Sequence, residues 1–162
     1  NRMDKLTSMG SSVGALLKER GEAIAIAESS AGGLVSASLL SIPGASNYFV
    51  AGGVVYTRDA RRGLMDVPEE VVTMRASTEE YALIMARIVR ERFDTTWGIC
   101  ETGATGPTGN RYGDDAGHAC FAVAGPVERA TTLETGSPDR EANMWQFATG
   151  ALALIEAVLR EQ

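Results

Sequence analysis

The chain has 162 residues, 44% of them hydrophobic and 22% charged, with a formal net charge of −6 and a pI near 4.8. That length buries a full core as one domain spanning 1–162, and the acidic balance works against nucleic-acid backbones and anionic membranes as partners, leaving a small molecule or another protein. No apolar run approaches the ~18 residues of a membrane span and no charged-then-apolar leader opens the chain, so a cytoplasmic location is expected.

Apolar residues at Leu6, Met9, Val13, Leu16 and Leu17 repeat with a helical period over 4–20, and Gly21 follows as a stop. AIAIA (23–27) is a short apolar run that fits a buried strand, turning through ESSAGG into a helix over about 33–41. Pro43 and Gly44 break that helix, YFVAGGVVY (48–56) has the character of a second central strand, and TRDARRGLM of a short helix. Ser77 and Glu80 have capping-box spacing ahead of the stripe Tyr81, Ile84, Met85, Ile88 and Val89, which predicts an amphipathic helix over 78–93. TTWGICETG (95–103) and HACFAVAG (118–125) are expected strands around a Gly-rich loop, with ATTLETG (130–136) as an edge strand. Ser137 as cap and Pro138 as first residue start a final helix that keeps its period to Leu159. Helices alternating with apolar strands give an α/β class, a three-layer α/β/α sandwich with a mostly parallel or mixed central sheet. Trp97 and Trp145 fit packing positions, in the core or at a dimer contact, and Cys100 and Cys120 on apolar segments are expected as buried free thiols.

In open α/β sheets ligands bind beyond the carboxyl ends of the strands. ESSAGG (28–33), VVYTRDAR (54–61) and ETGATGPTGNRYGDDAG (101–117) all leave strands and are rich in Gly, Ser or Thr, so they are expected to converge on one pocket. Tight turns need the same residues for structural reasons alone.

The ordered set AESSAGG, PGASNYF, GGVVYTRDAR with LMDVPEE, and TGATGP resembles the C-terminal domain of the CinA (competence/damage-inducible) proteins over residues 5–160. Standalone forms of that domain are nicotinamide-nucleotide amidases. The resemblance implies a homodimeric α/β/α domain that hydrolyses nicotinamide mononucleotide to nicotinic acid mononucleotide and ammonia, with no metal or organic cofactor. It also implies Ser46 as nucleophile, Tyr56 as its partner, and Ser29 as helper within a loop that includes Ser30, Gly32 and Gly33. Thr102, Gly103 and Gly106 match the second loop, and Arg140 matches a phosphate-binding arginine.

The departures matter as much. Arg61 stands where the family carries lysine, Met144 where it carries a second arginine, Asp114 and Asp115 where it carries Lys-Pro, and Ala31 where it carries threonine. A buried lysine loses its proton near neutrality and activates a serine, but a guanidinium, with a pKa above about 12, stays charged, so Arg61 is not a base. Three arrangements stay open. Tyr56 acts as base beside Arg58 and Arg61, or His118, the one histidine, does so instead of simply bonding to backbone, or Arg61 is a fixed anion clamp in a nucleotide-binding or interaction module that has lost turnover. The amides of 30–33 and 102–106 are expected to cradle the oxyanion and the phosphate. Ser46 alone also fits a turn, Arg140 a solvated surface, and Asp114 and Asp115 either solvated acids or, with Glu101, a metal site.

Overall fold

The computed structural model describes residues 1–162. Helix α1 spans Arg2–Arg20; Asn1 and Asp4 close its first turn as a capping box, and Gly21 ends it in the left-handed conformation. Strand β1 (Ile24–Glu28) leads to α2 (Leu34–Leu40), a short 3-10 turn (Ala45–Asn47) and β2 (Phe49–Val54). Helices α3 (Arg58–Gly63), α4 (Glu69–Val72) and α5 (Glu79–Phe93) follow, then β3 (Trp97–Ala104), β4 (His118–Ala124), β5 (Arg129–Glu134) and α6 (Arg140–Arg160). No helix is long and apolar enough to cross a membrane.

The five strands form one mixed sheet in the order β2-β1-β3-β4-β5. The first three are parallel, β4 runs antiparallel to β3, and β5 antiparallel to β4. The carboxyl ends of β1, β2 and β3, the start of β4 and the end of β5 therefore share one edge.

Alternation along the strands divides the core. Ile24, Ile26, Trp97, Ile99, Phe121 and Val123 face α1, α2 and α6. Ala25, Ala27, Cys100, Cys120, Ala122 and Ala124 form a face of small residues that admits α5 closely, through Tyr81, Met85 and Val89. With both faces covered, β1 is buried along its whole length. Each large side chain taken from water this way stabilises by roughly 1.5–3 kcal/mol. Phe121 and Phe147 meet edge to face at 6.5 Å and tie α6 to β4. Trp97 is fully buried and donates its indole N–H to Glu22 at 2.9 Å, while half-buried Trp145 lies beside Arg2. Burial pushes the Cys100 and Cys120 thiols up from their ordinary range.

Two helix starts differ from the sequence expectation. Thr78, not Ser77, caps α5, because Ser77 is drawn into the left-handed region at φ 61° by bonds to neighbouring strands. Asp139, not Ser137, caps α6; Ser137 instead braces the preceding turn, its carbonyl accepting from Asn143. The 3-10 turn and α4 have no counterpart in the expected elements, since three and four residues are too short to carry a period.

Candidate functional site

The three strand-exit segments meet at that shared sheet edge. Ser29 after β1, Tyr56, Arg58 and Arg61 after β2, and Thr102 and Gly103 at the end of β3 line a cavity of about 420 Å³, closed by Ser77, Tyr81, Arg111 and Tyr112. A second cavity of about 220 Å³ adjoins it and adds Thr105, Gly106 and Arg140. Tyr56, Gly103 and Asn110 line both, so the two form one groove.

The floor rests on two buried carboxylates. Glu101 accepts the amide N–H groups of Ser29 at 2.9 Å and Ala31 at 2.8 Å through Oε1. Glu28 accepts those of Gly33, Val35 and Ser36, holding the start of α2. The Gly32 amide closes on the Ser29 carbonyl. Most amides of 29–33 are thus committed inward, which corrects the expected amide cradle: Gly32 and Gly33 shape the turn and line neither cavity. Gly32 has φ +66° and any side chain there would press on Met144. Ser30 is also removed from the site, since it is 5% exposed and its hydroxyl donates to the Gly103 carbonyl. Ser29 is left with a clamped backbone and a hydroxyl that makes no hydrogen bond within the chain, at the cavity wall.

Glu101 is fully buried and its Oε2 has no partner. Burial pushes its pKa up to about 7, against the lowering effect of the Ala31, Ser29 and Ser30 amides and with a further push from the Glu28 charge.

Tyr56 and Arg61 do not meet as a pair. Arg61 is buried, its Nη1 donating to the carbonyls of Val72 at 2.5 Å and Met74 at 3.2 Å, with its guanidinium 4.6 Å from the Tyr81 ring. It sits in the last turn of α3 and locks the α4 segment against α5. Tyr56 instead accepts from Arg140 at 3.1 Å, and the same guanidinium donates to the Gly106 carbonyl at 2.6 Å. Gly106 is needed for that seat: its φ is +107° and a Cβ would lie 2.7 Å from the Pro138 carbonyl.

Ser46 is a correction of a different kind. It is exposed in the 3-10 turn ahead of β2, whereas Tyr56 follows the far end of that strand. At about 3.3 Å per residue the intervening strand holds the two some 20 Å apart, so Ser46 lies outside the groove of its own chain.

Loop 105–117 is held from several sides. Asn143, fully buried, donates to the carbonyls of Thr105 and Ser137. Asn110 accepts the amides of Tyr112 and Asp114 and donates to the Asp114 carboxylate, which also takes Arg75 at 2.8 Å. These partners account for Asp114 without a metal ion. His118 lines neither cavity; its ring is bonded to Glu134 and, through Nε2 at 2.7 Å, to the Ser77 carbonyl. Burial pulls its pKa down, but those bonds and the Asp114 charge outweigh this and leave it raised. It braces Ser77, whose amide donates to Thr102 Oγ1 at 3.1 Å.

Ser77 and Tyr81 were not expected at the site from the sequence, Asn110, Arg111 and Tyr112 lay in an expected strand-exit segment without an assigned role, and Arg58 was expected only as a neighbour of Tyr56. The Gly, Ser and Thr gathered at the strand exit of loop 101–117 are the signal that pointed there. No carboxylate lines either cavity, and Arg58, Arg61, Arg111 and Arg140 line them without a carboxylate partner. In a chain of net charge −6 this groove concentrates positive potential and favours an anionic ligand.

A family model described as the CinA C-terminal domain matches residues 6–159. A CinA-like protein from Synechocystis sp. is 37% identical over 139 residues, covering 85% of this chain and 33% of its own length. Another from Desulforapulum autotrophicum is 36% identical over 151 residues, covering 91% of this chain and 36% of its own. The chain thus spans about a third of the length of the curated relatives it matches. Among solved structures, a CinA superfamily protein from Klebsiella pneumoniae superposes with TM-score 0.88 at 23% identity, covering 97% of this chain and 99% of that one. The competence/damage inducible protein CihA from Agrobacterium tumefaciens superposes at 0.85 with 25% identity, covering 94% of each chain.

Proposed function

This chain belongs to the CinA C-terminal domain family, and we propose that it is an amidohydrolase acting on nicotinamide mononucleotide or a closely related phosphorylated amide, with Ser29 as nucleophile. The observation that carries this is a serine with a clamped backbone and an uncommitted hydroxyl, set in a groove whose only charged lining groups are arginines. The guanidinium groups hold the phosphate, with Arg140 at one end of the groove and Arg58 and Arg111 at the other. Ser29 Oγ attacks the amide carbonyl, and the resulting oxyanion is stabilised by side-chain donors of the groove, since the neighbouring amides are committed to Glu101 and Glu28. Arg61 keeps its charge throughout and acts as a fixed anchor.

A second reading has support in the same site. Arg61 occupies the family's lysine position with its Nη1 committed to carbonyls, and neither lysine nor histidine lines the groove, as suits a nucleotide-binding or interaction module that has lost turnover. Incubation with nicotinamide mononucleotide separates the two. The amidase reading predicts ammonia and nicotinic acid mononucleotide in equal amounts. Saturable binding with no ammonia released supports the module and ends the amidase reading.

A further inference from the structure

Building on the amidase reading, we propose that Tyr112, held among Arg58, Arg75 and Arg111, is the group that takes the proton from Ser29 and delivers it to the departing ammonia. Tyr112 lines the same cavity as Ser29 and is half-buried in loop 105–117. Arg111 Nη2 donates to its hydroxyl at 2.9 Å and stands 5.0 Å from its ring centroid, and Arg75 stands 5.4 Å from the same ring. Arg58, from α3, lies alongside the phenol and lines the cavity with it. One carboxylate is close, that of Asp114, and it is bonded to Arg75 and Asn110. With Arg75 and Asp114 offsetting each other, the two guanidiniums of Arg58 and Arg111, neither with a carboxylate partner, favour the phenolate. Burial raises the Tyr112 pKa, but the Arg111 bond and charge, the Ala76 backbone and Arg58 outweigh it and set it below the ordinary tyrosine value. The other lining phenols are placed differently: Tyr81 is buried and pushed upward, and Tyr56 is fixed to Arg140.

The step balances without a co-reactant other than water. As the Ser29 Oγ–carbonyl bond forms, the Oγ proton passes to the Tyr112 phenolate. As the carbon–nitrogen bond breaks, that proton passes to nitrogen and ammonia leaves. A water molecule then adds to the acyl-serine, giving one proton to Tyr112, which returns it to Ser29 Oγ as the acid product departs; the second proton leaves on the carboxyl group and is lost to solvent.

Two measurements test this, one of them free of substrate. In a tyrosinate absorbance titration the natural chain is expected to show a phenol ionising below the ordinary tyrosine value; Tyr112→Phe removes that step and Arg111→Gln moves it to higher pH. With nicotinamide mononucleotide, Tyr112→Phe lowers kcat by about 10²–10⁴-fold with little change in KM and abolishes the alkaline rise of the rate. A low-ionising tyrosine that survives in Tyr112→Phe, or an unchanged kcat and pH profile in that variant, overturns the proposal. Absence of ammonia release from the natural chain overturns the parent reading instead, and the titration tells the two failures apart.

Discussion

Replacing Ser29 with alanine is expected to lower ammonia release from nicotinamide mononucleotide by about 10³-fold or more, while Ser46→Ala leaves the rate essentially unchanged. The difference follows from where β2 runs. Ser29 follows β1 at the groove, with its amide held by Glu101, whereas Ser46 is exposed ahead of β2, with the whole strand between it and Tyr56. Neither substitution disturbs the fold much: the Ser29 hydroxyl has no partner in the chain, and the Glu101 bond is made by the backbone. The KM of Ser29→Ala stays near that of the natural chain, because the arginines that hold the anion are untouched. Equal losses in both variants would show instead that Ser46 reaches a groove, through a second copy of the chain.

The second large effect is on stability. Glu101 is fully buried, half-satisfied, and carries a pKa of about 7 against an ordinary 4.5. Because the folded value is the higher one, the folded state binds the proton more tightly than the unfolded chain. The stability this brings is complete below pH 4.5 and lost as pH rises through about 7. The difference corresponds to roughly 3 kcal/mol in magnitude. Glu101→Gln keeps an oxygen for the Ser29 and Ala31 amides and cannot ionise. Urea unfolding at pH 5 and pH 8 should therefore show the natural chain losing clearly more stability between the two than the variant, which keeps only the loss that the raised His118 brings to both, and the variant is the more stable at pH 8. Losses of equal size in both proteins would place the titration elsewhere.

Much of the fold is written in local patterns. Alternation in β1, β3 and β4 sets which side chains face α6 and which face α5, and the caps at Thr78 and Asp139 lie within two residues of the expected ones. The meeting of three strand-exit loops was legible too, because Gly, Ser and Thr gather at just those exits. The failures share a cause, which is that sequence distance is silent about tertiary partners. Ten residues from Ser46 to Tyr56 look close until a strand extends between them. Ser77 takes a left-handed backbone because Thr102 and His118 grip it from other strands. Arg61 was legible as a group that is not a base, yet the Val72 and Met74 carbonyls that fix it lie in a segment with no period. Glu101 did carry a signal, since a lone acid in the apolar run WGICETG is costly to bury and calls for donors such as the Ser29 and Ala31 amides that it holds.

The central claim, covalent catalysis by Ser29 in the arginine-lined groove, is tested most directly by mixing the protein with nicotinamide mononucleotide, quenching in acid within one turnover, and locating the acyl group by peptide mass. An adduct on the peptide containing Ser29 is the predicted result; an adduct on the peptide containing Ser46, or product formed at the full rate with Ser29 unmodified throughout, would contradict it.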